Sequence, residues 1–405
     1  MDDTRTSERA GEKRPIVSLI LCSRNDRYQG DSVWRLQTAL NATVQAVAAI
    51  GREQDVEIIL VDWGSKVPLR EALCLTPATA RQVSFLYLSQ EIIKEVAKDS
   101  PFAEVLALNA AARRAKGLYI GRIDQDTVPG PEFMRRMIEI LEGKFPIHVL
   151  PETAMFLSNR RCIPYRFASR SPSLWCVNRF VKWFGRNLPL MSPLPPELFY
   201  QSFVGIWMLH RDLWEEARGF DEEMIYMEWM EVDMYLRLRP KYTLVNLGEL
   251  IDHDVYHLDH LHPFAHWGTL GRSRKTNPVR DYDHPPKTRR PNGPDWGLVN
   301  FPIRLEPYAP TVPDLQARVE RDLRPAWPSF IWAVAVSRAR TLLDRAGLMV
   351  FRALLALPRL IVSRRPEWKG IAGRMRAVVH EQPMYRWPGL ILQSWAKRRP
   401  MGGRS

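Results

Sequence analysis

The stretch GRIDQDTVPG, residues 121–130, sets Asp124 and Asp126 one residue apart, behind the apolar run LYI and just ahead of two prolines. Two carboxylates so spaced at a strand end can bring oxygens to one divalent cation. Mg²⁺ and Mn²⁺ take such hard ligands and often share them with phosphates. The same pair also suits a solvated turn with an Asx cap before Pro129. A second acidic group, MEVD, carries Glu231 and Asp233 on a helical stretch with Glu228 close by; acids there can accept a proton from a substrate or simply face solvent. Five histidines fall in IDHDVYHLDHLHPFAHWG, residues 251–268, with no H-E-x-x-H or cysteine partner that would mark zinc.

The elements that must position these residues are legible as alternating patterns. IVSLILC (Ile16–Cys22) is a continuous apolar run of the kind covered on both faces of a sheet. Val33, Leu36, Leu40, Val44 and Val47 then recur at three- and four-residue intervals up to Gly51, which predicts an amphipathic helix. VEIILVD (Val56–Asp62), VSFLYL (Val83–Leu88), a helix through FAEVLALNAAARRA (Phe102–Ala115) and LYIGRID (Leu118–Asp124) continue the alternation. The pattern predicts an α/β domain with a mostly parallel sheet, whose ligand crevice lies beyond the carboxyl ends of the strands, where Asp62 and Asp124 stand. Residues 151–200 read as an irregular loop or lid, followed by a strand at Phe203–Leu209, a helix, the GFDE turn and the helix carrying Glu231 and Asp233.

Four regions are expected: a polar tail at 1–14, a catalytic-type domain at 15–270, a proline-rich wrapping segment or linker at 271–328, and a basic amphipathic helical region at 329–405. The net charge of +13 is concentrated in the last region, where fifteen Lys or Arg from Arg338 onward face three acids. Arginines 338, 345, 352 and 359 recur every seventh residue, a drifting polar stripe with apolar sides. No apolar run reaches the length of a membrane span, so an in-plane helix on anionic lipid, or a helical hairpin docked on protein, is expected instead. Cys22, Cys74, Cys162 and Cys176 show neither C-x-x-C spacing nor a disulfide framework, and the charged N-terminus lacks a signal-peptide core. The expectation is a cytoplasmic protein, peripheral to the inner face of the membrane if the tail meets lipid.

The succession VSLILCSRND, EIILVDWGS, LNAAARRAKGLYIGRIDQDTVPGPEF, GIWMLHRDLWEEARGFDEE and WMEVDMYLRL resembles, in order and spacing, the family 2 glycosyltransferases of the GT-A fold. The resemblance covers about residues 15–265. It implies that Asp62 contacts the nucleobase of a sugar donor, that Ser23 and Asn25 border the nucleotide, and that Asp124 and Asp126 form the Asp-x-Asp motif holding Mn²⁺ or Mg²⁺ on the diphosphate. Trp63 would stack on the base or pack under the loop. Glu231 falls at the position of the catalytic base, where the family has aspartate; Asp233 and Glu228 are the other candidates. His257, with His260 next, matches the histidine that completes the metal shell, while His253, His262 and His266 read as loop or core residues.

The implied activity is a metal-dependent inverting transfer of a hexosyl or N-acetylhexosaminyl group from a nucleotide-sugar, a UDP-sugar by expectation. The acceptor hydroxyl would belong to a lipid-linked glycan or a polysaccharide. Competing readings are a non-catalytic member of the fold, a basic membrane- or nucleic-acid-binding protein, and a nucleotidylyltransferase. CSRNDRYQGDS lacks the glycine-rich loop of the last class. The basic excess lies on apolar helices, which disfavours nucleic acid.

Overall fold

The computed structural model describes residues 14–26, 30–191, 199–200, 204–226, 229–251, 255–260, 277, 290–339 and 342. Among the described residues ten strands form one mixed sheet: β1 (Val17–Ser23), β2 (Val56–Trp63), β3 (Val83–Leu88), β4 (Tyr119–Ile123), β5 (Thr127–Pro129), β6 (Ala154–Ile163), β7 (Val204–His210), β8 (Thr243–Asn246), β9 (Val255–Leu258) and β10 (Leu305–Glu306). Their order is β10-β3-β2-β1-β4-β7-β6-β9-β5, with β8 also beside β6. Strands β3, β2, β1 and β4 are mutually parallel, and β7 enters antiparallel to β4. This is the α/β class with flanking helices that the alternation predicts.

Because side chains alternate across a strand, β1 and β2 feed two cores. Leu19, Leu21, Ile58 and Leu60 pack with Leu36, Leu40 and Val44 of the helix Ser32–Ala48 and with Met137 of the helix Pro131–Leu141. Ile20, Ile59 and Val61 pack on the other face with Val105, Leu108 and Ala112 of the helix Glu104–Arg114. Each large side chain so buried is worth about 1.5–3 kcal/mol, which fixes the strands and with them the residues at their carboxyl ends. Asp31 caps the first of these helices, accepting from the Trp34 backbone N–H at 3.0 Å.

Residues 151–200 differ from the irregular lid expected. They contain β6, a ten-residue strand inside the sheet, and the helix Leu174–Phe184. The polar run Ser158-Asn159-Arg160 conceals β6 in the sequence, yet these three residues are buried. In the proline-rich stretch, residues 290–308 are packed on the domain. Trp296 is buried in the core, Asn292 donates to the carbonyls of Arg218 and Phe220, and β10 pairs with β3. Residues 327–339 are helical. Among the described residues no helix is long and apolar enough to cross a membrane.

One buried amide ties the two halves of the sheet domain together. The Asn109 side chain, 0% exposed, accepts from the Phe220 N–H at 2.8 Å and donates to the Phe220 carbonyl at 2.8 Å and to Glu222 at 3.1 Å. It thereby clamps the GFDE turn, where Gly219 adopts φ +72°. Asn109→Ala leaves the Phe220 N–H without its buried partner and is expected to cost about 3 kcal/mol in urea unfolding. A loss below about 0.5 kcal/mol, typical of a surface change, would show that the clamp is unimportant.

Candidate functional site

Arg122 and Asp124 are two residues apart at the end of β4, so their side chains lie on one face, and Arg122 gathers three acids there. Its guanidinium meets Asp124 at 2.6 Å, Glu231 at 3.0 Å and Glu104 at 3.1 Å. A second arginine comes from β6. Arg160 Nη1 lies 2.5 Å from Asp124, 3.2 Å from Asp126 and 3.3 Å from His257 Nδ1. Its side chain crosses Gly205 of β7, where any Cβ would clash with the Arg160 stem.

Asp126 is buried between two imidazoles. Its Oδ1 is 3.0 Å from His257 Nδ1 and its Oδ2 is 3.1 Å from His260 Nε2. Strand β9, antiparallel to β5 with His257 opposite Thr127, sets this approach. Burial works against ionisation of Asp126, but the charge and hydrogen bonds of His257, with those of His260, outweigh it and hold the carboxyl well below its usual range. Burial pushes His257 down from its ordinary value against the pull of Asp126, so a ring lone pair is available near neutral pH.

Asp126, His257 and His260 present ligand atoms within 4.8 Å of one another. The two contacts engage different oxygens of Asp126 and are hydrogen bonds, so the set fits a divalent cation in the kind of its donors. On the far side of the ring His257 Nε2 has no hydrogen-bond partner among the described residues and lies 4.0 Å from Asp259, and Cys162 joins these two as a second donor group.

Glu231 lies in the first turn of the helix Met230–Leu238, which begins just after Trp229, whose φ of +76° is strained for a non-glycine residue. Asp233 on the same helix is turned to a different partner. It is 1% exposed and paired with Arg237 at 2.8 Å, and Arg237 also donates to the carbonyls of Ala217 and Gly219. Asp233 thus braces the GFDE turn, and Glu231 is the acid that this helix brings to the cluster. Glu228, His253, His262 and His266 lie outside the described residues.

The nucleotide-side candidates are placed beside the cleft with differing availability. Ser23 ends β1 and donates to Gln125, between the two aspartates. Asn25 is tied to the next loop, its N–H donating to Ser65 at 2.8 Å and its side chain to the Val67 carbonyl at 2.9 Å. Asp62 accepts from the Ser65 N–H at 3.0 Å, the Ser65 hydroxyl and the Leu69 N–H at 2.7 Å. Both its oxygens are engaged by the chain, so Asp62 shapes the 65–69 loop; burial raises its pKa against those bonds. Of the two alternatives for Trp63, packing is what the structure shows: it is 1% exposed against Phe102 and offers no face for stacking.

Arg122, Arg160 and Glu104 were not singled out from the sequence. Arg122 had a signal, the two-residue spacing R-x-D-x-D on a strand. Arg160 had none, sitting in a stretch that reads as loop.

No protein-family model matches the chain, and no curated protein matches its sequence. Among solved structures, the crystal structure of S. aureus TarS is 12% identical with a TM-score of 0.35, covering 62% of this chain and 38% of that one. The crystal structure of S. aureus TarS 1–349 gives 12% and 0.35 over 60% of each chain. The chain thus spans less than two thirds of either neighbour, and likeness at this level contributes nothing to the functional argument.

Glu104 keeps 34% of its side chain open, yet its carboxyl is pushed up to about 7. Loss of water at the cleft wall comes first; Arg122 opposes it, while Glu231 and Asp124 add to it. A carboxyl raised from its ordinary 4.5 holds its proton more tightly in the fold than in the unfolded chain, so stability falls as pH rises towards 7. Glu104→Gln, permanently neutral, is expected to melt above the wild type at pH 8 and to lose that advantage by pH 5. A difference independent of pH would contradict the raised value.

Proposed function

We propose that the chain is a metal-dependent, inverting glycosyltransferase that moves a sugar from a nucleotide donor to an acceptor hydroxyl. The observation that carries this reading is the Asp126–His257–His260 donor set just beyond the carboxyl end of β4, beside the cluster of acids and arginines. Two imidazoles among the donors favour Mn²⁺ over Mg²⁺. Such an ion supplies Lewis-acid stabilisation of a diphosphate leaving group.

The chain's own residues account for the rest. Arg160 pairs with the diphosphate in the manner that guanidinium groups pair with phosphate oxygens. Glu231 takes the proton of the acceptor hydroxyl at a carboxylate oxygen, and Arg122 fixes its position 3.0 Å away. Ser23, Asn25 and the loop held by Asp62 form the wall of the cleft against which the nucleoside lies.

Arg160 also favours a second reading. A guanidinium within 2.5–3.3 Å of Asp124, Asp126 and His257 is itself a cation in the ligand cluster, so a transferase using arginine alone on the diphosphate is the alternative.

Calorimetric titration with a panel of nucleoside diphosphates, with and without Mn²⁺, separates the two. The metal-dependent reading expects one nucleotide to bind only with Mn²⁺ and Asp126→Ala to lose that binding by at least about tenfold. Equal affinity without metal would establish the arginine reading, and binding of none would refute both. Once a donor is known, Glu231→Gln is expected to leave its Kd nearly unchanged and lower turnover by about 10²–10⁴. Retained turnover would remove Glu231 from the role of base.

A further inference from the structure

Away from the cleft, the helix Leu174–Phe184 packs against the helix at 327–339 through an aromatic cluster. Trp175 and Trp183 meet Trp327 at 5.1 and 5.6 Å, and Phe330 lies beneath them, 1% exposed. Phe330, Ala333 and Ser337 form the buried stripe of the second helix. Its opposite side does not become polar as on an ordinary surface helix. Ile331 and Trp332 are 61% and 59% exposed, with Pro328, Ala335 and Ala339 beside them, and Leu342 is 63% exposed. The three exposed tryptophans among the described residues, Trp183, Trp327 and Trp332, all lie on this face.

The two helices of the face carry cations and no acid, and the acids beside them include Asp322, which accepts from the Leu174 N–H, and Asp31, which accepts from the Ser171 hydroxyl. Residues 164–191 contain five Lys or Arg and no acid, and residues 327–342 contain no acid either. The cations sit on the rings: Arg179 over Trp327 at 4.9 Å, Arg170 over Trp332 at 4.1 Å and Arg338 over Phe184 at 4.9 Å. Between the two helices a groove of about 340 Å³ is lined by Phe180, Phe184, Leu188, Val334, Leu342 and Arg338.

We infer that this face docks on an anionic lipid bilayer. The partner has to be both negatively charged and apolar. Tryptophan, with an apolar ring and a polar N–H, belongs at the boundary between acyl chains and headgroups, and arginine there pairs with lipid phosphate. A nucleic acid would satisfy the arginines but gives no burial to Ile331, Leu342 or the groove. Beyond Leu342 the sequence adds thirteen Lys or Arg against three acids, so the basic excess continues along the rest of the sequence. Strand β6 leads from Arg160 in the cleft to Pro164, where this acid-free stretch begins, so docking would hold the cleft near the lipid surface. The inference does not depend on the reaction performed in the cleft.

The test is sedimentation of the full chain with phosphatidylcholine vesicles with and without phosphatidylglycerol, comparing the wild type with Ile331→Glu/Trp332→Glu. Both positions are exposed, so the double variant should keep the wild-type melting temperature. The expected result is binding to the anionic vesicles only, weakened at least about tenfold in the double variant, with wild-type tryptophan fluorescence quenched by brominated lipid. Unchanged binding by the double variant would place the affinity in the basic tail alone and overturn the inference. So would absence of vesicle binding, or binding of an oligonucleotide in place of vesicles.

Discussion

Four carboxylates and two guanidinium groups meet where β4 ends, and none of the arrangement is stable unless every charge there is matched. Removing one arginine would leave carboxylates facing each other out of water, a larger penalty than any single surface ion pair repays. Arg122 and Arg160 are therefore shared: each binds Asp124 from a different side, the first reaching on to Glu104 and Glu231, the second to Asp126 and His257.

The scaffold is arranged to deliver these groups from five separate elements. Strand β4 brings Arg122 and Asp124, β6 brings Arg160, β9 brings His257, and two helix N-termini bring Glu104 and Glu231. The parts distant from the cluster serve its geometry. Asn109 and Arg237 fix the GFDE turn from opposite sides, and that turn sets where the helix bearing Glu231 begins. Gly205 clears the path of Arg160 across β7, since a side chain there would push the guanidinium off Asp124.

Much of this was legible in the sequence, for reasons that also explain what was missed. Runs such as IVSLILC and VEIILVD announce strands buried on both faces, and the strand ends locate Asp62 and Asp124 beside a cleft. Strand β6 escaped because its central Ser158-Asn159-Arg160 serve the site, so a buried strand carries the polarity of a loop. Periodicity cannot tell which of two acids on one helix meets a partner: Glu231 faces Arg122, whereas Asp233, two residues on, pairs with Arg237. Nor could it show that Asp62 bonds to its own loop or that Trp63 belongs to the core. The pairing of each acid with an arginine is a long-range contact, and short motifs do not encode it.

The central claim is that Asp126, His257 and His260 hold one divalent ion beside Arg160. Pulsed EPR of Mn²⁺ bound to the protein with a nucleoside diphosphate tests it directly, because imidazole nitrogens couple to the electron spin only when they are ligands. The account predicts nitrogen coupling from two imidazoles, reduced to one in His260→Ala and in His257→Ala. Bound Mn²⁺ without nitrogen coupling, or coupling unchanged in both variants, would contradict it.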